Sequence, residues 1–539
     1  MRGLKADEKF VRLSVLIFIL LAGLCFRLIF INKPEGLWND EYVSWMISSV
    51  PFGKEFFRQI SYQCHMPFYY FYLKFFMLFS GSDLFLRLTS VIPGVLSIIA
   101  MYFVGKELED EKLGIFSAAV CSFSSFLIYF SQEVRFYSVL FLFSALTLLF
   151  TLKFLKKQNF LNGFWFIISN SLIVLTHSIG FVFVFFNLAF VSYELSKKSE
   201  RYKKNIGFAW VLVLVLALLS LPLVVKMFTM HPYSQWWSSF SFSKLIFLIT
   251  DYFSPFLTNI VSAPSDFLKF LSFKFILWGI LPSIIAVLGI VNALKLKKRE
   301  NVGIFIVSIL YLTVLTLASM FGKLVFLSKY AIEVYPVLIV LMCFGLLKFG
   351  KVWRSILIFA FCFLNLFYLL SNENSAPRMH RSEGHKLVSE LLNNAGLKKN
   401  DLIILNYYDK DRFERYFDFK DYKVISFNKN NIWQLLGIAP KADFDVNSKF
   451  FEQNLDKELN SVEQNQKVAI VILKDVAIYS PVKLNAIFQD EREYKKTPFF
   501  FVAFSYLRNK TLDVCLQKFS ILRVEQKGSW LVITFSNNR

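Results

Sequence analysis

Val11–Ile31 reads VRLSVLIFILLAGLCFRLIFI, a run whose only charges are Arg12 and Arg27. A helix rises 1.5 Å per residue, so about 20 apolar residues cross a hydrocarbon core of roughly 30 Å. A basic start before an apolar run is also how a signal peptide begins. This run is long enough to span, however, and no small-residue cleavage site follows it, so the sequence predicts a retained first span.

Comparable runs recur at 87–105, 113–130, 136–154, 161–177, 178–195, 206–227, 273–294, 302–321, 330–348 and 354–371. The expected fold is therefore an α-helical polytopic membrane protein of about 11 transmembrane helices. Composition agrees. The 539 residues are 55% hydrophobic and include 65 Phe, with a mean hydropathy of +0.49. A net charge of +21 suits a nucleic-acid binder in principle. Here the cations cluster in short connections between apolar runs, the pattern of cytoplasmic loops, so no nucleic acid partner is expected.

Those connections also orient the chain. Lys153–Lys157, Lys197–Lys204, Lys295–Arg299 and Lys348–Arg354 alternate with connections that are not basic. Placing every basic loop in the cytoplasm puts the N-terminus inside and the C-terminal segment outside. Met66–Ser80 is apolar but short, and a crossing there would reverse every later loop, so it is expected to lie along the outer interface. Asn32–Ser80, Ser131–Arg135 and the long Phe228–Phe273 connection then share the outer face, with Lys244–Phe253 a second surface-lying helix.

After Ser371 the composition turns polar. Short apolar runs at Asp401–Asn406, Tyr422–Phe427, Lys467–Leu473 and Trp530–Phe535 alternate with helix-like stretches such as Glu383–Asn394 and Phe450–Glu463. This predicts a transmembrane domain over 1–371 and a C-terminal α/β extracytoplasmic domain over 372–539. The six cysteines form no disulfide framework, and Cys64 and Cys515 are the two expected to see water.

Ionisable groups at membrane depth are costly and need a partner, water or a function. Asp40 and Glu41 follow the first span, His65 opens the interfacial stretch, and Glu133 and Arg135 lie at a tight turn. Carboxylates with cationic groups suit a phosphate-bearing substrate, where an acid deprotonates a hydroxyl and cations neutralise a leaving phosphate. Blander readings compete: a solvated acidic pair, an ion pair of Glu133 with Arg135 holding the turn, and a helix-start histidine.

Four motifs stand in order: Leu37-Trp38-Asn39-Asp40-Glu41, His65-x-Pro67-Phe68-Tyr69-Tyr70, Leu86-Arg87-Leu88-x-Ser90-x-x-x-Gly94, and Tyr129-Phe130-Ser131-Gln132-Glu133-x-Arg135-Phe136-Tyr137. Together they resemble the GT-C membrane glycosyltransferases, within them the protein-mannosyltransferase and aminoarabinose-transferase-like superfamily. The resemblance covers about residues 10–200. It continues through Thr176-His177 and Ser328-Lys329-Tyr330 with Tyr335-Pro336, and does not reach the C-terminal domain.

The resemblance implies a glycosyltransferase that takes a sugar from a polyprenyl-phosphate carrier to a lipid, protein or glycan acceptor at the outer membrane face, with inversion. It implies that Asp40 is the general base with Glu41 completing the motif, and that Arg135 and Lys329 contact the lipid phosphate. Tyr137 and Tyr330 are implied as substrate-binding. Glu133 matches a position that in some relatives contacts a divalent metal ion (Mg, Mn or Zn). His65 stands where some relatives carry a phosphate-binding Lys, leaving its role open between phosphate contact and metal ligand. His231 competes as a second metal ligand against an ordinary surface histidine. The rival activity is a membrane transporter or lipid flippase, which predicts inverted repeats and charges near mid-bilayer.

Overall fold

The computed structural model describes residues 2–32, 36–63, 65–197, 280–296, 299–320, 328–371, 384–405, 410–426, 455–473, 499–527 and 530–537, with isolated residues between 207 and 253 and at 453. The chain divides into two compact units. One comprises Met1–Asn32 and Val43–Arg378, the other Lys33–Tyr42 and Met379–Arg539.

The first unit is helical because its sequence is a succession of apolar runs. Most of the opening run forms helix α1 (Arg2–Leu28), which ends before Ile29, and α2 (Asn39–Ser49), α3 (Lys54–Tyr62) and α4 (Phe68–Met77) follow. Then come α5 (Asp83–Leu108), α6 (Glu111–Phe123), α7 (Ser125–Phe130), α8 (Tyr137–Lys156), α9 (Phe160–Thr176) and α10 (Gly180–Ser196). Beyond the long connection lie helices Leu281–Lys295, Arg299–Met320, Tyr335–Leu346 and Lys351–Ser371. Among the described residues, five segments are long and apolar enough to cross a membrane: Phe10–Leu28, Asp83–Leu108, Tyr137–Lys156, Asn301–Met320 and Ser328–Leu346. Phe160–Thr176, Gly180–Ser196 and Leu281–Lys295 are shorter apolar helices.

The expected span over 206–227, the Phe228–Phe273 connection with His231, and Cys64 lie wholly or largely outside the described residues. The figure of about 11 spans therefore rests partly on residues outside the description. Within Lys244–Phe253, the described Leu248, Tyr252 and Phe253 are buried.

One expected span is not a single helix. The run 113–130 breaks at Ser124, whose backbone is extended and whose Oγ accepts from the Leu127 N–H at 3.3 Å. A serine in that role caps a new helix, so α6 stops and α7 begins. The α4 helix has ten residues and is about 15 Å long, too short to cross.

Close helix packing relies on small residues. A Cβ at Gly289 would meet the Met342 Cα at 3.0 Å, and Asn292 Nδ2 donates to the Gly345 carbonyl at 2.8 Å. The backbones of Leu281–Lys295 and Tyr335–Leu346 thus approach to a distance that side chains would prevent.

Among its described residues, the second unit is built on a five-stranded sheet of order β2-β1-β3-β5-β4. Its strands are β1 (Leu402–Leu405), β2 (Lys423–Ser426), β3 (Lys467–Leu473), β4 (Ser520–Lys527) and β5 (Trp530–Ser536). The parallel core β2-β1-β3 continues into β5, which is antiparallel to both β3 and β4. Alternate residues of β1 enter opposite cores. Ile403 and Leu405 pack with Leu387, Leu391 and Trp530, whereas Leu402 and Ile404 pack with Leu455, Cys515 and Phe535. Burial on both faces explains why the inner strands read as unbroken apolar runs.

The expected strands are present, and β4 is one the sequence reading did not contain. Its residues are exposed along nearly the whole strand, so it lacks an apolar run. Cys515, expected to see water, is instead fully buried, and that burial pushes its thiol up to about 12.

His385 opens the helix His385–Asn394 and is fully buried against Tyr42 and Phe413. Burial, helped by the nearby Arg412 guanidinium, pushes its imidazole pKa down to about 3. The unfolded chain takes up a proton near pH 6.5 that the folded one refuses. Stability is therefore complete above about pH 6.5 and is lost as pH falls toward 3, at roughly 1.4 kcal/mol per unit. Denaturant unfolding of the full chain, followed by tryptophan fluorescence, should show a lower midpoint at about pH 5.5 than at pH 7. His385→Asn should flatten that difference.

Candidate functional site

The acidic pair lies at the start of α2. Glu41 is fully buried, and its Oε2 accepts from the Trp38 N–H at 3.3 Å. A carboxylate turned back onto the chain before a helix ties off donors that the first turn leaves unpaired. Asp40, one residue earlier, is half-buried. Two adjacent acids thus occupy different surroundings.

In the first unit, the turn Ser131–Phe136 between α7 and α8 is held from several sides. Gln132 Nε2 donates to the carbonyls of Arg27 at 3.0 Å and Ile29 at 2.8 Å, the free carbonyl end of α1. Ser90 Oγ donates to the Glu133 carbonyl at 2.5 Å, and Ser138 Oγ donates to the Ser90 carbonyl at 2.7 Å. Tyr129 Oη donates to Glu133 Oε1 at 2.5 Å. A Cβ at Gly94 would collide with the Ser131 side chain, which explains the glycine eight residues after Leu86. Beneath the turn, the fully buried Arg27 donates to the carbonyls of Gly23, Cys121 and Ser122 and to Ser131 Oγ.

This scaffold gathers the predicted substrate-binding residues. Arg135, 5% exposed, donates to Ser44 Oγ at 3.4 Å and stands over the Phe136 and Tyr137 rings at 5.4 and 5.9 Å. Lys329 Nζ lies over the same Tyr137 ring at 5.6 Å and over Tyr330 at 5.4 Å. His65 hydrogen-bonds through Nδ1 with the Tyr70 hydroxyl and packs edge-on against Phe136 at 6.0 Å. Two cations are thus placed amid aromatic rings, Arg135 buried and Lys329 partly buried.

Lys329 and Tyr330 belong to a 3-10 stretch, Ser328–Val334, that kinks at Ala331. Tyr252 Oη secures it, donating to the carbonyls of Ser328 at 3.0 Å and Ala331 at 2.5 Å. The same stretch carries the fully buried Glu333, whose Oε1 meets His177 Nδ1 at 2.7 Å. His177 caps the end of α9 and stacks on Phe136 at 5.5 Å and Tyr330 at 6.3 Å. The pair thereby ties the Arg135 turn to the Lys329 stretch. Sequence reasoning gave neither residue a role, although a lone acid inside the apolar run 330–348 was a usable signal.

Of the predicted metal ligands, Glu133 is described and His231 lies outside the described residues. Among the described residues, no three His, Cys, Asp or Glu side chains are grouped to hold a metal ion.

Residues 65–224 match the family model of the dolichyl-phosphate-mannose-protein mannosyltransferases. Among solved structures, ArnT from Cupriavidus metallidurans in the apo state is similar at a TM-score of 0.51 and 11% identity, covering 98% of each chain. The Archaeoglobus fulgidus oligosaccharyltransferase in its apo form gives a TM-score of 0.49 and 12% identity, covering 87% of this chain and 70% of that one. No curated protein matches the chain. At such identities the structural likeness is one of fold, and it extends over the C-terminal unit that the sequence resemblance did not reach.

Proposed function

We propose, from the premise that the chain is a membrane glycosyltransferase of the GT-C fold, that it moves a sugar from a polyprenyl-phosphate carrier to a lipid, protein or glycan acceptor. The observation that carries this reading is the convergence of Arg135 and Lys329, distant in sequence, on the Tyr137 ring. The family match over 65–224 supports the same donor class.

In this reading Asp40 takes the proton of an acceptor hydroxyl. The acceptor oxygen then bonds to the anomeric carbon on one face while the bond to the phosphate oxygen breaks on the other, giving inversion. The transition state has oxocarbenium character, so a carboxylate on the attacking side lowers its energy. The departing lipid phosphate keeps the bonding electron pair, and Arg135 and Lys329 balance its charge through charge-assisted hydrogen bonds. No acid is needed at the leaving group. Tyr137 and Tyr330 present the aromatic surface against which the two cations sit, and His65 extends that surface through Phe136. Glu41 completes the first turn beside the base. Glu133 remains a candidate ligand for a divalent cation (Mg, Mn or Zn), but its carboxylate already serves Tyr129, so no step is routed through a metal.

The transferase chemistry is assigned to residues 1–371 and an extracytoplasmic position to 372–539, in a multi-pass protein of the cell's inner or plasma membrane with a cytoplasmic N-terminus. The test gives purified enzyme polyprenyl-phosphate carriers of mannose, glucose and aminoarabinose in turn, with release of lipid phosphate as the readout. One carrier is expected to be consumed. No release from any of them, with lipid-phosphate binding also absent, would overturn the donor assignment.

A further inference from the structure

The segment that bears Asp40 belongs to the C-terminal unit, which comprises Lys33–Tyr42 together with Met379–Arg539. Both backbone groups of Leu37 are taken up there. Its N–H donates to Tyr416 Oη at 2.9 Å, and its carbonyl accepts from the His385 N–H at 3.1 Å. Gly36 sits at φ +94°, and a Cβ at that position would meet the Lys386 backbone nitrogen at 2.8 Å. Only glycine combines that backbone conformation with so close an approach.

The contacts continue on either side of the acid. Before it, the Arg412 guanidinium donates to the side-chain oxygen of Asn39. After it, Tyr42 Oη donates to the Asp411 carbonyl at 2.8 Å, and the Arg412 guanidinium stands over the Tyr42 ring at 5.6 Å. Asn39 and Tyr42, the near neighbours of Asp40, are thus clamped by one short stretch, residues 411–412. Leu37 is fully buried and Tyr42 nearly so, which removes the water that would otherwise compete for these hydrogen bonds.

We infer that Arg412 and Tyr416 are positioning residues for the Asp40 carboxylate, so that the C-terminal α/β unit serves the chemistry by fixing the base. This deepens the proposed function and rests on Asp40 acting as base there. General-base catalysis requires hydrogen-bond reach of the proton, and a misplacement of about 1 Å costs on the order of a hundred-fold in rate.

The test compares Arg412→Ala and the milder Tyr416→Phe with wild type in the full-length protein. Amide hydrogen exchange over residues 36–43 is expected to accelerate about ten-fold or more in both variants, while β1, β3 and β5 keep their protection. With the carrier consumed by the wild-type enzyme, kcat is expected to fall on the order of ten- to a hundred-fold in Arg412→Ala, with donor KM within about two-fold. Arg412→Lys, which restores the cation and one donor, is expected to recover part of the loss. Unchanged exchange in the segment overturns the inference, and so does faster exchange with wild-type kcat. An Asp40→Asn enzyme with wild-type turnover sinks the base assignment alone, because the exchange comparison still reports whether Arg412 and Tyr416 hold the segment.

Discussion

Asp40→Asn is expected to lower turnover by about a hundred- to ten-thousand-fold, the usual worth of a positioned general base. The substitution keeps the shape of the side chain and removes its ability to take the acceptor's proton. Donor binding, assigned to Arg135 and Lys329, should be nearly unchanged, so the loss falls on kcat and not on KM. The acidic limb of the pH–rate profile, set by protonation of this carboxylate, should also disappear. The measurement is single-turnover release of lipid phosphate with donor saturating. A variant within about three-fold of wild type would remove Asp40 from the mechanism.

The second large effect concerns His177 and Glu333. Their side chains are 8% and 0% exposed and meet at 2.7 Å. Removing the histidine costs a buried carboxyl one of its hydrogen bonds, at about 1–3 kcal/mol. His177→Ala should therefore lower the thermal midpoint of the detergent-solubilised protein by several degrees. It should also raise donor KM, because His177 stacks on Tyr330, the neighbour of Lys329. The double replacement His177→Phe with Glu333→Leu separates the two consequences. Apolar residues of similar volume restore most of the stability, whereas donor KM stays raised if the pair places the lysine. Recovery of both together would make the pair purely structural.

Much of this arrangement was legible in the residues, for reasons that can be stated. Helices declared themselves because a lipid-facing or buried span needs an uninterrupted apolar run, and the inner strands did so because the sheet is covered on both faces. The residues proposed to bind substrate stand in compact motifs of cations and tyrosines, and Arg135, Lys329 and His65 pack against Phe136 or Tyr137. The break at Ser124 was hidden, since a serine inside an apolar run looks like any tolerated small residue until its hydroxyl caps the next turn. The exposed strand β4 gave no apolar signal. Glu333 was overlooked because its partner is a histidine 156 positions away. The membership of Lys33–Tyr42 in the C-terminal unit was beyond reach as well, because Leu37 is held through its backbone, which carries no signature of residue type.

That backbone pairing has a consequence in time. Leu37 leaves the ribosome long before its partner, because the hydroxyl that receives its N–H belongs to a tyrosine 379 positions later. A growing chain can thread most of its helices into the bilayer while the loop after α1 still waits for its partners, and contacts of such long sequence separation close late. The segment that bears Asp40 therefore stays loose until residue 416 has been made. If Asp40 is the base proposed above, a chain still short of residue 416 would spend no lipid carrier.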